Sequence, residues 1–123
     1  MSTTLKIIAI VAFYIITIVT GIIMHKKGRP FNPLLSAIHK FLALAVVVVT
    51  ILIVRAVFID GTPSTLAIVL FAVSLVLLIS LFATGAMLSG EKEMPKIVLV
   101  LHDIATYLSP VTVGITFFLM LKN

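Results

Sequence analysis

The sequence contains no cysteine and no tryptophan. Without cysteine the chain has no disulfide relay, no thiolate metal site and no cysteine-held iron–sulfur cluster. Without tryptophan, aromatic anchoring at the membrane surfaces is weak. Charged residues are also scarce at 11% of the chain, whereas soluble domains contain about 25%. This scarcity excludes a soluble globule, because too few polar side chains are present to cover a water-exposed surface.

Apolar residues make up 62% of the 123 residues and are gathered into long runs. Four runs each reach or exceed the ~20 residues that a helix needs to cross a bilayer: 5–24, 33–59, 66–88 and 95–121. They use nearly the whole chain, which predicts a single domain over 1–123 with no separate soluble catalytic module. The first run is longer than the apolar part of a signal peptide and no small-residue cleavage site follows it, so we expect it to be a retained span.

The predicted fold is an all-α integral membrane four-helix bundle with up-down-up-down topology. Helices are expected because backbone polar groups must be satisfied internally in hydrocarbon, and the runs lack the alternation of barrel strands. The connections 25–32, 60–65 and 89–94 are short, so consecutive helices are expected to be antiparallel neighbours. Asn32 before Pro33 predicts the N-terminus of the second helix, with asparagine as the cap and proline at the first position.

Basic residues are distributed unequally between the two predicted membrane faces. The first and third loops share one face, which collects six basic residues, and the face with both termini has three. By the positive-inside rule, loops 25–32 and 89–94 are expected in the cytoplasm and both termini on the opposite side. Because the charges flank spans, we expect anionic lipid headgroups as their neighbours and no nucleic-acid partner.

A short pattern recurs in the two halves of the sequence. A glycine precedes a loop, a proline follows, and a histidine lies six or seven residues after the proline. The members are Gly21, Pro33 and His39 in the first half, and Gly85, Pro95 and His102 in the second. The pattern is compatible with duplication of a two-helix unit into two parallel copies.

The two histidines are the main candidate site residues. His39 and His102 are predicted roughly 9 and 10 Å along their helices from starts on the same membrane face. In a ring of four helices these two helices are diagonal, about 13 Å apart, which leaves room for a group held between two imidazoles. Gly21 and Gly85 are expected at a similar depth, where a missing side chain admits a backbone or a flat ligand. A structural hydrogen bond or a simple interfacial position is the alternative for each histidine.

Other polar residues near the histidines have several open interpretations. Asp103 is a candidate to carry a proton, to orient a histidine as a hydrogen-bond partner of a ligand, or to pair with Lys40. Thr106 and Ser36 lie one turn from a histidine and can bond either to the imidazole or back to their own helices. His25 follows the first span beside two lysines, and an interfacial, solvated role is expected for it.

The arrangement of His39, His102, Gly21 and Gly85 over four spans resembles the four-helix membrane b-type cytochromes, such as the cytochrome b561 group. The resemblance implies a b-type haem with His39 and His102 as its iron ligands, and Lys40 near the propionates. That family usually carries two histidine pairs, one near each membrane face. This chain has a pair near one face, so the resemblance implies one haem that exchanges electrons with a nearby partner such as a quinone. An enzyme of this kind would be a membrane oxidoreductase or electron carrier.

Three other functions remain open from the sequence. A zinc or copper site is possible, although His39, His102 and Asp103 supply at most three of the four ligands that tetrahedral zinc prefers. A small proton-coupled transporter of the multidrug-exporter size also has four short helices, but such proteins carry a carboxylate in the first span, which is absent here. A membrane subunit without chemistry of its own, packed against other subunits, also fits the small size and the apolar helices.

Overall fold

A computed structural model describes residues 2–90 and 92–122 of the chain. Over these residues the secondary structure is helical and no strand is present. The four helices are α1 (Thr3–Lys27), α2 (Pro33–Asp60), α3 (Thr65–Leu88) and α4 (Lys96–Lys122). All four are long and apolar enough to cross a membrane, judged by length and composition. The predicted all-α fold with four helices of membrane-spanning length is confirmed.

Helix ends follow from local capping chemistry. The Oδ1 atom of Asn32 accepts hydrogen bonds from the backbone N–H groups of Leu34 at 2.9 Å and Leu35 at 3.2 Å. Asn32 therefore caps α2 as predicted, because it satisfies two of the four N–H groups that every helix start leaves open. Ser64 does the same for α3, accepting from Ala67. At the other end of α1, Gly28 adopts a positive φ of 72° and its N–H donates to the Met24 carbonyl, which stops the helix.

The chain divides into two compact units, Met1–Ala56 and Val57–Asn123. The first hairpin is defined here as α1 with α2 as far as Ala56, and the second hairpin as α3 with α4. Each is a pair of consecutive helices joined by a short loop. The predicted organisation of 1–123 as one domain stays a prediction.

Buried positions recur at matching places in the two hairpins. Counted from the histidine, the positions seven, eleven, fourteen and fifteen residues later are buried in both. The matching pairs are Val46 with Ser109, Thr50 with Val113, Ile53 with Thr116, and Val54 with Phe117. In the first helix of each hairpin one threonine is buried, Thr20 in α1 and Thr84 in α3. The residue ten positions before it is also buried, namely Ile10 and Ser74. The repeat seen in the sequence thus extends to which faces of the helices are buried.

Large apolar side chains are exposed along all four helices, with Ile8, Phe41, Ile79 and Phe118 between 58% and 75% exposed. In water such a surface would be unfavourable at ~25 cal/mol per Å². In a bilayer the same surface faces hydrocarbon, so the exposure agrees with a lipid environment. Six hydroxyl residues are buried away from this surface, and His39 and His102 are half-buried. The six are Thr20, Thr50, Ser74, Thr84, Ser109 and Thr116.

Candidate functional site

His39 is held by two residues of the neighbouring helix in the first hairpin. Its Nδ1 atom lies 2.9 Å from the Thr17 carbonyl oxygen and 3.0 Å from the Thr20 hydroxyl oxygen. The Thr20 hydroxyl in turn donates its hydrogen to the same Thr17 carbonyl at 2.9 Å. These hydrogen bonds at one edge of the His39 ring link α1 to α2.

These contacts determine which ring nitrogen of His39 carries the proton. A carbonyl oxygen can only accept a hydrogen bond, so the bond to Thr17 requires a proton on Nδ1. In the neutral imidazole the other nitrogen, Nε2, then carries a lone pair. Among the described residues no hydrogen bond to Nε2 of His39 is found. The free electron pair makes this nitrogen a potential metal ligand or hydrogen-bond acceptor.

Gly21 provides the space that the His39 ring occupies. A Cβ atom built on Gly21 would lie 3.0 Å from Cε1 of His39, which is closer than ordinary van der Waals contact. The missing side chain therefore lets the imidazole lie directly against the α1 backbone. Close approach at Gly21 was expected from the sequence, and the group that approaches within the hairpin is the histidine ring. Thr20, Gly21 and His39 are called the first cradle below.

The second hairpin repeats this arrangement with Thr84, Gly85 and His102, which are called the second cradle. The Thr84 hydroxyl oxygen lies 2.8 Å from Nδ1 of His102. A Cβ atom built on Gly85 would lie 3.3 Å from Cε1 of the same ring, tighter than most real contacts. The same three residue types thus contact the same edge of the imidazole in both hairpins.

The proton position in the second cradle follows from the Thr84 hydroxyl. This hydroxyl has one hydrogen, and its oxygen lies 2.6 Å from the Ser80 carbonyl, a short and favourable donor distance. With its hydrogen directed to Ser80, the hydroxyl accepts from Nδ1–H of His102. The same tautomer results as in the first cradle, with the lone pair on Nε2.

The remaining candidate residues lie apart from the cradle contacts. The Thr106 hydroxyl donates to the His102 backbone carbonyl at 2.7 Å, so it bonds back to its own helix and not to the imidazole. Lys40 and Asp103 directly follow the two histidines and are exposed, and His25 is exposed in the last turn of α1. The expected role of Lys40 at a haem propionate and the proton role of Asp103 stay predictions.

Sequence reasoning identified the glycines and histidines of both cradles but missed their threonines. The signal was present as a Thr–Gly pair before the loop in each half, at 20–21 and 84–85. A threonine in a helix ordinarily bonds back to its own backbone, which gives no reason to single one out. Its coincidence with the glycine and the histidine in both halves would have been the useful observation.

The part of the chain that the structure describes contains no compact metal site made of several side chains. Within 2–90 and 92–122, no group of three or more His, Asp or Glu side chains is placed to hold a metal ion. The zinc or copper site considered from the sequence therefore gains no support from these residues. A cofactor that brings its own equatorial ligands, such as haem, needs only axial nitrogen donors from the protein.

Comparison with known proteins found no matching family model, no matching curated protein and no matching solved structure. Any function assigned to this chain therefore depends on its own residues. Most prominent among them are the two cradles, which hold two imidazoles in the same way within separate hairpins.

Proposed function

We propose that this protein is a membrane b-type haem protein, in which His39 and His102 would hold the haem iron. Its role would be electron transfer to or from a quinone-like partner in the lipid. The observation that supports this most is the hydrogen bonding of Nδ1 in both cradles. With the proton on Nδ1, the lone pair of a neutral imidazole is on Nε2, which is the nitrogen that would bind iron.

The chemistry of the donor set fits a haem. Metal-ligating histidines almost always donate their second N–H to a carbonyl, a carboxylate or a water, which fixes the ring and raises its basicity. The Thr17 carbonyl and the Thr84 hydroxyl occupy this position for His39 and His102. Apolar helices of membrane-spanning length supply the surroundings that a porphyrin requires. When bound, the haem would supply reversible one-electron oxidation and reduction.

The residues of the chain would have distinct tasks in such a site. Thr20 and Thr84 hold the imidazole planes and keep the proton on Nδ1. Gly21 and Gly85 let each ring lie against the neighbouring backbone, which limits its rotation. Preventing rotation matters because a histidine that is already oriented would lose less entropy on binding iron.

The orientation of the chain in the membrane forms part of the proposal. We place loops 25–32 and 89–94 in the cytoplasm and both termini on the opposite side. Support comes from Lys26 and Lys27 in the last turn of α1, followed by Arg29 in the loop. Positive residues beside a span favour the cytoplasmic face. A cysteine introduced at Ser2 should react with an impermeant reagent added outside intact cells, and labelling only from the cytoplasm would reverse the assignment.

The haem proposal is tested by absorption spectroscopy of protein produced with ample haem. The wild type should show a Soret band that shifts on reduction, with one haem per chain. His39→Ala and His102→Ala should each lose haem, whereas His25→Ala should retain it. Absence of a Soret band in well-folded wild type would refute the haem proposal, and the membrane-subunit function would then be preferred.

A further inference from the structure

The turn between α1 and α2 presents three basic side chains close together. Lys26 and Lys27 lie in the last turn of α1, Arg29 follows in the loop, and all three are exposed. Residues 1–56 contain six basic and no acidic residues, a net charge of +6. The first hairpin therefore has no carboxylate side chain to neutralise these three residues, which are called the cation cluster below.

Gly28 and Phe31 determine the shape of the cation cluster. Gly28 has a φ of 72°, a conformation that favours glycine, and α1 ends there. The Arg29 guanidinium carbon lies over the Phe31 ring, 5.6 Å from its centre, which is within the range of a cation–π contact. This contact limits the movement of Arg29 and holds it in the loop next to the lysines. A planar guanidinium matches the oxygens of a phosphate, and each lysine adds a compact positive charge.

Apolar side chains of the same hairpin lie next to the cation cluster in the sequence. Leu34, in the first turn of α2, is 70% exposed, and Ile23, one turn before Lys27, is 38% exposed. A lipid has the same composition, with a charged headgroup joined to apolar chains. A free phosphate ion gains nothing from Leu34 and Ile23, so the combination favours a lipid as the occupant.

The carboxylates of this chain are too few to balance the basic residues of the first hairpin. All four acidic residues of the chain belong to residues 57–123. If every one of them paired with a basic residue of 1–56, two of those six basic residues would still lack a carboxylate partner. Anions from outside the chain must therefore balance part of this charge.

We propose that the cation cluster binds the headgroup of an anionic lipid and prefers a headgroup with two phosphates to one with a single phosphate. Three basic residues exceed the charge of one phosphate, so a second phosphate adds further attraction. A zwitterionic headgroup brings its own ammonium group, which the cluster repels. Loop 89–94 has two glutamates beside one lysine, so no comparable preference is expected in the second hairpin. This site is independent of the haem.

Native mass spectrometry of the full-length protein in detergent tests this proposal by measuring the affinity for single lipids. The probes are cardiolipin with two phosphates, phosphatidylglycerol with one, and zwitterionic phosphatidylcholine, and the affinity should fall in that order. Lys26→Gln, Lys27→Gln and Arg29→Gln together should weaken cardiolipin binding roughly a hundredfold, about fivefold for each cation removed. Phosphatidylcholine binding and helix content should stay unchanged, which shows that the variant is folded. Unaltered cardiolipin binding in this folded variant would overturn the proposal.

The matched control removes the same number and types of basic residue elsewhere in the chain. Lys6→Gln, Arg55→Gln and Lys122→Gln together change the net charge equally, at the membrane face that the sequence predicts to be opposite. Cardiolipin affinity should stay within about twofold of the wild type, because charges beyond a Debye length are largely screened. Equal losses in the two triple variants would show that overall charge attracts the lipid, and the proposal would be wrong.

Two further measurements exclude other anions as the occupant. Glu91→Gln with Glu93→Gln should leave cardiolipin affinity nearly unchanged, whereas a rise of about fivefold or more would mean that these glutamates neutralise the cluster. Glycerol phosphate in excess should not displace cardiolipin, because it lacks acyl chains. Complete displacement would show a site for soluble phosphates and would refute the lipid assignment. None of these outcomes bears on the haem proposal, which is judged by the Soret band.

Discussion

The two hairpins are alike in how they hold a histidine and in which helix positions are buried, and they differ in charge and in the side chains at those buried positions. Both place a threonine hydroxyl on Nδ1 and a glycine backbone under Cε1 of the imidazole. Yet the first has a strongly basic loop and one buried hydroxyl residue after His39, Thr50, whereas the second has a mixed-charge loop and two after His102, Ser109 and Thr116. The two hairpins thus share the pattern of buried positions, but only in the cradle do they also share the residue types. This contrast makes the cradle the feature that the two hairpins have most closely in common.

The largest change in the free energy of unfolding is expected from placing a side chain at the glycines of the two cradles. Gly21→Leu and Gly85→Leu would push side-chain atoms into the imidazole rings, and overpacking of this kind costs about 1–3 kcal/mol. Gly21→Leu should cost more, because its Cβ contact at 3.0 Å is tighter than the 3.3 Å contact at Gly85. The measurement is the free energy of unfolding in lipid bicelles.

Gly114 supplies the control for this substitution. It lies in α4, is exposed, and a Cβ there would meet nothing within 4 Å. Gly114→Leu should be neutral or stabilising, because leucine has the higher helix propensity by somewhat less than 1 kcal/mol. Equal losses at all three glycines would show that the imidazole contacts are not the cause.

A smaller effect is expected from removing the threonine hydroxyls. Thr20→Val and Thr84→Val keep the side-chain shape and delete one hydrogen-bond partner of Nδ1, so each should lower stability by about 1 kcal/mol. Double-mutant cycles with His39→Ala and His102→Ala should give coupling energies of about 0.5–1.5 kcal/mol in both hairpins. A coupling energy in one hairpin and none in the other would show that the two cradles do not hold their histidines in the same way.

The smallest change in stability is expected at a hydroxyl residue of the second hairpin whose matching residue in the first hairpin is apolar. Ser109 is fully buried and its hydroxyl has no hydrogen-bond partner among the described residues, whereas the matching residue is Val46. Ser109→Ala should therefore stabilise the protein by up to about 1 kcal/mol, since a buried unsatisfied hydroxyl is removed. Ser74→Ala is the control, because Ser74 is equally buried but donates to the Leu70 carbonyl. If Ser109→Ala destabilises more than Ser74→Ala, the hydroxyl has a partner that the helix pair alone does not supply.

The helices and the position of the histidines were predictable from the sequence because they depend on local rules. Apolar runs of sufficient length require helices in hydrocarbon, and Asn32 before Pro33 is a capping signal that acts within one turn. The depth of His39 along α2 follows directly from where that helix begins.

The partners of the imidazoles were not predictable in the same way. Thr106 lies one turn from His102 and was a candidate, yet its hydroxyl bonds to its own helix. Thr84 lies eighteen residues away in the sequence, and only the packing of α3 on α4 brings it to Nδ1. Likewise, a glycine in a helix predicts that another group packs closely against the helix backbone, but it does not specify whether that group is an imidazole or a ligand. Contacts between helices depend on rotation about the helix axes, which the apolar pattern of a lipid-exposed helix specifies weakly.

The central claim is that both cradles hold a neutral imidazole with its proton on Nδ1 and its lone pair on Nε2. Side-chain nitrogen NMR of ¹⁵N-histidine-labelled, haem-free protein in lipid nanodiscs measures this directly, because protonated and unprotonated ring nitrogens resonate far apart. We expect His39 and His102 each to show the Nδ1–H tautomer alone. A proton on Nε2 of either His39 or His102 would contradict the account.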